Sequence, residues 1–321
     1  MPISGLAREY GLVPKTLEHQ YREHISDFCE WKELINEDAL IYPENFGKRM
    51  QIDETMLADG ELYTILTNAN AKGKKGALAA LIKGTKQSII TKALLVVPLS
   101  KRLAVTELTL DMAETMHGIG LESFPNAVQV IDRFHVQKEV AEGVQDLRIR
   151  YRKEAIKREN AAAAEAKRKR ETYAPKRFEN DDTEKELLAR SRYILMMKPN
   201  ERTATQEARA QILFQKFPDI EKAYKLGLEF RNIYETKDTP ENMRPRFRAW
   251  YEKVSKSEIE DLMSAACTVE RHETRILNYF NHRSTNAGAE SFNAKLKGFR
   301  ALVRGVRDKK FFFYRVTKLY A

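Results

Sequence analysis

The sequence predicts an α/β fold with a mixed β-sheet, followed by a long all-helical block that separates the sheet from a last helix. Short apolar or alternating runs between residues 49 and 134 are typical of strands. Helical runs separate the later strands, which favours βα units after an initial hairpin. Beyond His135, roughly 150 residues carry few strand signals and many charged helical ones.

The strands of the sheet follow in a simple order. Residues 49–57 and 61–69, with a turn at 58–60, predict an antiparallel hairpin. Residues 77–84 predict a third strand. The remaining elements are a helix over 85–98, a strand over 103–112, a helix over 113–124 and a strand over 127–134.

Residues 1–48 form a separate N-terminal segment in this interpretation. Within residues 3–26, Gly11 ends one short helix and Pro14 opens a second. This is a partial helix-turn-helix, and it fits either DNA reading or a plain helical hairpin. The stretch 37–48 has the composition of a linker.

The rest of the chain divides into the first part of the sheet domain (49–135), a helical insertion (136–284) and a C-terminal helix with a basic tail (285–321). The insertion includes the basic run 150–171, whose charges fit either a solvated helix or phosphate contact. Four prolines are expected to divide the insertion into several helices: Pro199, Pro218, Pro240 and Pro245.

Composition limits the classes of protein. Lys and Arg number 56 against 46 Asp and Glu, an excess of 10, which suits a polyanionic partner such as nucleic acid. The two cysteines are far apart and have no C-x-x-C spacing, so the sequence supports neither a disulfide framework nor a zinc ribbon. With no long apolar run and no secretory start, we expect a cytoplasmic, nucleoid-associated protein without a membrane partner.

Three acidic residues stand out by position. Asp53 interrupts the first strand, Asp111 closes the fourth, and Glu290 lies in the last long helix. If the first and fourth strands are neighbours, the two aspartates lie close together, and a divalent cation such as Mg²⁺ relieves their repulsion. Two such ions can activate the attacking oxygen and stabilise the leaving one in phosphodiester displacement. The alternative is that these aspartates only cap the helices that follow.

Several segments in order resemble one family: IDE at 52–54, LYTILTN at 62–68, LIKGTK at 81–86, ELTLDM at 107–112, FPNA at 124–127, IDRFHV at 131–136 and NAGAESFNAKLKGFRALVRG at 286–305. From about residue 49 to its end, the chain resembles the ISL3 family of bacterial insertion-sequence transposases, in particular its ISAon group. The resemblance implies a DDE transposase on a ribonuclease H-like fold.

The family's catalytic carboxylates fall on Asp53, Asp111 and Glu290, which the resemblance assigns to catalysis and to binding Mg²⁺, with Mn²⁺ as a substitute. The first two are 111 − 53 = 58 residues apart, and the glutamate follows 290 − 111 = 179 residues later. The second gap is too long for an uninterrupted ribonuclease H-like core, so it accommodates the helical insertion.

The strand end 132–135 carries a second signature. In related transposases the corresponding strand ends in Cys or Asp, two residues and His, matched here by Asp132 and His135. Asp132 is therefore a rival of Asp111, and Asp111 is preferred because it ends the strand expected beside the first. His135 is a candidate catalytic residue or a buried polar one, and Arg133 a candidate DNA contact.

The resemblance also places polar residues around Glu290. Asn286, Asn293 and Lys297 share one helix face with it at offsets of 4, 3 and 4. The predicted DNA-binding set is Asn286, Asn293, Lys295, Lys297, Arg300, Arg304 and Arg133. A solvated helix face is the alternative for the cations.

The implied function is metal-dependent cleavage of double-stranded DNA at element ends and strand transfer into target DNA, by a homodimer or higher assembly on DNA. Relatives usually begin with a zinc-binding segment and a complete helix-turn-helix, so an upstream-encoded recognition module is an expected partner. Three alternatives remain: a ribonuclease H-like nuclease without strand transfer, a truncated transposase acting as a DNA-binding protein, and a helical scaffold.

Overall fold

The computed structural model describes residues 3–35, 39–57, 60–302 and 308–321. The chain forms two compact units. One comprises Met1–Asp132 with Arg283–Ala321, and the other Arg133–His282. The second unit is thus inserted into the first through two chain crossings, which lie close to the borders expected at 136 and 284.

A six-stranded mixed sheet forms the centre of the first unit, which confirms the predicted α/β class. Its strands are β1 (Ala39–Ile41), β2 (Arg49–Met56), β3 (Leu62–Asn68), β4 (Leu78–Lys83), β5 (Glu107–Leu110) and β6 (Val128–Ile131). They lie in the order β1-β4-β3-β2-β5-β6. The first four pair antiparallel, whereas β5 is parallel to β2 and β6 parallel to β5.

Strand β1 lies inside the stretch predicted as a linker. It pairs antiparallel with β4, and Leu40 is fully buried. The strand is only three residues long, and Pro43 follows it in a short 3₁₀ turn. Such a short strand next to a breaker has almost no periodic signal, which explains why the sequence suggested a linker.

In the described residues of the first unit, the α-helices before the insertion are α1 (Ile3–Glu9), α2 (Pro14–Gln20), α3 (Gln87–Leu94), α4 (Leu99–Leu103) and α5 (Glu114–Ser123). A π-helical turn, Tyr21–Ile25, follows α2 directly. The helix predicted over 85–98 therefore ends early, because Pro98 lies just before α4. Helix α4 in turn shortens the strand predicted over 103–112 to four residues.

The second unit is helical in the part of it that the structure describes. Its helices are α6 (Arg133–Lys169), α7 (Glu184–Arg190), α8 (Ala204–Lys216), α9 (Pro218–Glu235), α10 (Pro240–Ser255), α11 (Glu260–Arg271), α12 (Glu273–Leu277) and α13 (Tyr279–His282). Pro218 and Pro240 open helices as expected. The prediction for Pro245 is wrong, since it lies inside α10. Buried Met243, Phe247 and Trp250 hold that helix in place and offset the backbone hydrogen bond that a proline lacks.

Two last helices, α14 (Ala287–Leu302) and α15 (Lys309–Tyr320), return to the first unit. An aromatic cluster joins them to the N-terminal segment, where the Phe28 ring meets that of Phe311 at 4.9 Å and the Trp31 ring meets that of Tyr314 at 5.8 Å. The N-terminal segment is thus packed into the first unit at these residues. Among the described residues no helix is both long enough and apolar enough to cross a bilayer.

Close packing of α6 against α11 gives a test of the helical unit. A Cβ atom at Gly143 would lie 3.1 Å from the Cβ of Ala265 and 3.1 Å from the carbonyl oxygen of Asp261. We expect Gly143→Leu to lower the free energy of unfolding by about 1–3 kcal/mol through overpacking. Urea unfolding measures the change. Gly227→Ala is the control, because its Cβ would make an ordinary contact at 3.5 Å. Equal effects of the two variants would contradict this packing.

Candidate active site

The pairing of β2 with β5 brings the first two predicted carboxylates together. The register joins Arg49 with Glu107 and Gln51 with Thr109, an offset of 58 residues. Asp53 and Asp111 are separated by the same 58 residues, so the register, continued two residues, places them opposite each other. The prediction that the first and fourth strands are neighbours is confirmed.

Side-chain alternation places both aspartates on the sheet face that α14 covers. Leu108 points to the opposite face, where it lies against Gly120 of α5. Gln51 points to the α14 face, and its Nε2 donates to the carbonyl oxygen of Thr285 at 2.5 Å. Because strand side chains alternate, Asp53 lies on the same face as Gln51. Asp111 lies on the face away from Leu108, which is again the α14 face. Both aspartates are half-buried.

Asn286 fixes the start of α14 on the sheet. It is fully buried, its backbone N–H donates to Oδ1 of Asp132 at 3.0 Å, and its Nδ2 donates to the carbonyl oxygen of Ile52 at 3.1 Å. Nearby, the hydroxyl of Ser284 donates to Oε1 of Glu107 at 2.5 Å. The segment that leads into α14 is therefore tied to β2, β5 and the end of β6.

Asn293 connects α14 directly to the first aspartate. It is 5% exposed, and its Nδ2 donates to Oδ2 of Asp53 at 2.7 Å. The other oxygen, Oδ1, accepts the backbone N–H of Glu54 at 2.9 Å. Two donors thus fix the plane of the Asp53 carboxylate.

Glu290 lies between the two anchored asparagines. It follows Asn286 by four residues and precedes Asn293 by three, so all three lie on one side of α14. The asparagines bond to Ile52 and Asp53, consecutive residues of β2. The side of α14 that carries Glu290 therefore faces the end of β2, and Glu290 itself is exposed at the edge of that side.

A fourth acidic residue, Glu54, belongs to this region, although the sequence analysis did not single it out. Burial, together with the charges of Asp111 and Asp53, raises the pKa of its carboxyl group. Like charges thus accumulate at this strand end. The feature of the sequence that could have identified Glu54 is its position directly after Asp53.

The donor atoms fit a hard divalent cation. Asp53, Asp111 and Glu290 offer carboxylate oxygens, the ligand type that Mg²⁺ and Mn²⁺ prefer. The buried Oδ1 of Asn293 has no hydrogen-bond partner among the described residues and is a further oxygen of this type. In the described part of the chain, however, no three His, Cys, Asp or Glu side chains are grouped closely enough to hold a metal ion. The three carboxylates therefore do not form a closed cluster.

Asp111 and Asp132 have different surroundings. Asp111 is half-buried, and its Oδ1 accepts the backbone N–H of Ala113 at 2.8 Å just before α5. Asp132 is 2% exposed, and its Oδ1 accepts the backbone N–H of Asn286. The rival aspartate thus anchors the start of α14.

The predicted DNA contacts are in varied surroundings. Asn286 and Asn293 are buried and bonded within the protein, so in this structure they position α14 and present no surface to a DNA strand. Lys297 is exposed on the Glu290 side of the helix. The ammonium group of Lys295 donates to the carbonyl oxygen of Gly73 at 3.1 Å, and the Arg300 guanidinium lies 5.5 Å from the Phe312 ring centre.

Three predicted residues remain: Arg133, His135 and Arg304. Arg304 lies outside the described residues. Arg133 and His135 belong to the first turn of α6 in the helical unit. The half-buried ring of His135 packs edge-on against that of Phe134 at 5.7 Å.

A family model described as a transposase, that of the ISL3 DDE transposases, matches residues 50–316. No protein in a search of curated sequences matches the chain significantly.

The family match covers most of the sequence, so the chain belongs to the ISL3 family of DDE transposases. It is a DNA-processing enzyme, and its sheet is a ribonuclease H-like core in which the antiparallel β4-β3-β2 continues into the parallel β5 and β6. The resemblance to the ISL3 family that the sequence indicated is confirmed.

The different surroundings of Asp111 and Asp132 predict different effects of their substitution on the free energy of unfolding. Asp132→Ala leaves a buried backbone N–H of Asn286 without its acceptor, and we expect a loss of about 1–3 kcal/mol of unfolding free energy. Asp111→Asn keeps the acceptor for Ala113 and removes one of several like charges, so stability should stay equal or rise. Thermal unfolding compares them. If Asp111→Asn costs as much as Asp132→Ala, the assignment of Asp132 as an anchor fails.

Glu54 gives a pH-dependent prediction. Its pKa is raised in the folded protein, so ionisation of Glu54 costs stability at neutral pH, and that cost disappears as the pH falls below the ordinary value of 4.5. We expect Glu54→Gln to raise Tm at pH 7 and to match the wild type in acid. Melting curves from pH 7 to below the ordinary value test this. A Tm gain of the same size at every pH would show that charge is not the cause.

Proposed function

We propose that this protein cuts DNA at the ends of an insertion sequence and joins the freed 3′-hydroxyl to target DNA, using a divalent cation held by Asp53, Asp111 and Glu290. The observation that carries the proposal is the pairing of β2 with β5, whose register places the two aspartates opposite each other. Membership of a transposase family supplies the reaction class.

A divalent cation supplies two things at such a site: it offsets the repulsion among carboxylates, and it stabilises charge on the phosphate and the attacking and leaving oxygens. Mg²⁺ is the proposed ion, with Mn²⁺ as a substitute, because the donors are oxygens. Burial raises the pKa of Glu54, and the charges of Asp111 and Asp53 raise it further, which supports an accumulation of negative charge at this strand end.

The chain's own residues orient this site. Asn293 and the backbone N–H of Glu54 hold the Asp53 carboxylate through its two oxygens. Asn286 and Asp132 hold the start of α14, which presents Glu290 and the exposed Lys297 on one side. Lys297 is the proposed contact for the phosphate backbone of the DNA, a contact that positions the strand without reading its sequence.

Two element ends must meet in one transposition event, so we propose a homodimer or higher assembly on double-stranded DNA. His135 and Arg133 lie in the helical unit, and their roles in catalysis and DNA contact stay proposals.

The proposal is tested on a labelled duplex that carries the element's own end, taken from the DNA that flanks the gene. With Mg²⁺ the wild type should nick this end. Glu290→Gln should bind equally well and nick at least 100-fold more slowly, because a positioned charge at the reacting phosphate is typically of that importance.

Glu252→Gln is the matched control, since it removes one exposed carboxylate from α10 of the helical unit. It should nick like the wild type. If the wild type binds but does not cut, even with the upstream product added, the chain acts as a DNA-binding protein. If Glu290→Gln cuts at the wild-type rate, the glutamate is wrongly assigned.

A further inference from the structure

An apolar groove lies in the helical unit. Its volume is about 490 Å³, and Phe134, Val140 and Val144 of α6 form one wall. Leu195, Met196 and Tyr224 form the other. Its volume is in the range of pockets that hold one small organic group.

The apolar surface of the groove is open to solvent. Phe134 is 59% exposed and Met196 is 45% exposed. Tyr224 is buried, and its hydroxyl donates to the carbonyl oxygen of Met197 at 2.7 Å, so the exposed apolar surface of the groove comes from Phe134 and Met196. The groove therefore suits a flat group with apolar faces.

The rim of the groove is mainly cationic. Lys138, Arg192 and Arg231 border it together with one carboxylate, Glu142, which leaves 3 − 1 = 2 net positive charges. Arg231 is fixed by a hydrogen bond from its Nη1 to the carbonyl oxygen of Met196 at 3.0 Å. Lys138 and Glu142 form a 3.6 Å ion pair with both side chains more than half exposed, and such a pair is weak enough to exchange for a phosphate.

We propose that this groove binds an unstacked nucleotide of a DNA strand, with the base against Phe134 and the phosphate at the cationic rim. An apolar peptide would use the walls but not the net charge of the rim. A nucleotide uses both, because its base is a flat apolar face and its phosphate is an anion. The proposal rests on DNA as the enzyme's substrate, and on no part of the carboxylate chemistry.

Two fluorescent single strands of equal length test the proposal on the full chain: a thymidine homopolymer and a strand in which every base is replaced by an abasic spacer. Wild type should bind the thymidine strand about tenfold or more tightly than the abasic strand. Phe134→Ala should lose this preference and bind both strands as the wild type binds the abasic one. Phe134→Trp should keep it, which excludes a folding defect as the cause.

A separate substitution tests the contribution of the cationic rim to DNA binding. Arg192→Gln should weaken binding of both strands equally and reduce the salt dependence of binding, because phosphates are common to both. Lys225→Gln is the control, since Lys225 is an exposed cation of α9 paired with Glu221 and does not line the groove.

Three results would overturn the proposal. The first is a base preference that Phe134→Ala leaves unchanged. The second is a change of oligomeric state in Phe134→Ala with unaltered DNA binding, which would make the groove an interface between copies of the chain. The third is the absence of any base preference in the wild type. In each case, normal nicking of the element end would show that the transposase function stands and only the groove assignment fails.

Discussion

The site depends on one constraint, the 58-residue register between β2 and β5. In parallel strands the register decides which side chains meet at the strand ends, and a shift of one residue would turn one aspartate to the other face of the sheet. The apolar side of β5, with Leu108 against α5, holds this register in place because a shift of one residue would turn Glu107 and Thr109 into that apolar packing. A structural core on one face of the sheet thus determines the geometry of the acidic residues on the other.

The second requirement is that α14 returns to the same strand ends after the helical unit of 150 residues (282 − 133 + 1). Five hydrogen bonds achieve this: Ser284 with Glu107, Gln51 with Thr285, Asn286 with Asp132 and with Ile52, and Asn293 with Asp53. Most are buried or half-buried, where a missing partner costs more than it does at the surface. The polar side chains at these positions therefore fix the placement of α14, because their hydrogen bonds form together in this placement. The same contacts orient the Asp53 carboxylate, so docking of the helix and preparation of the site are one event.

The sequence predicted the sheet, the insertion and the neighbouring aspartates, because periodicity and spacing are local properties that the register preserves. The sequence favoured Asp111 over Asp132 because of the expected strand neighbours, but it did not show the different surroundings of the two side chains, since both end strands. The bond from Asp132 to Asn286 spans 154 residues and leaves no local pattern. Asn286 and Asn293 were placed on the correct helix face, but their burial was not visible in the sequence. Glu54 was missed because an acidic residue beside another is common in strand ends, and only the structure shows that Asp111 adds its charge there.

The central claim is that a divalent cation lies between the ends of β2 and β5 and beside the Glu290 side of α14. Replacing Mg²⁺ with Fe²⁺ and adding peroxide cuts the backbone next to the bound ion, and mass spectrometry locates the cuts. The account predicts cuts near Asp53, Asp111 and Glu290 that excess Mg²⁺ suppresses and that Asp53→Asn abolishes. Cuts only near Asp132, or cuts that Mg²⁺ does not suppress, would contradict it.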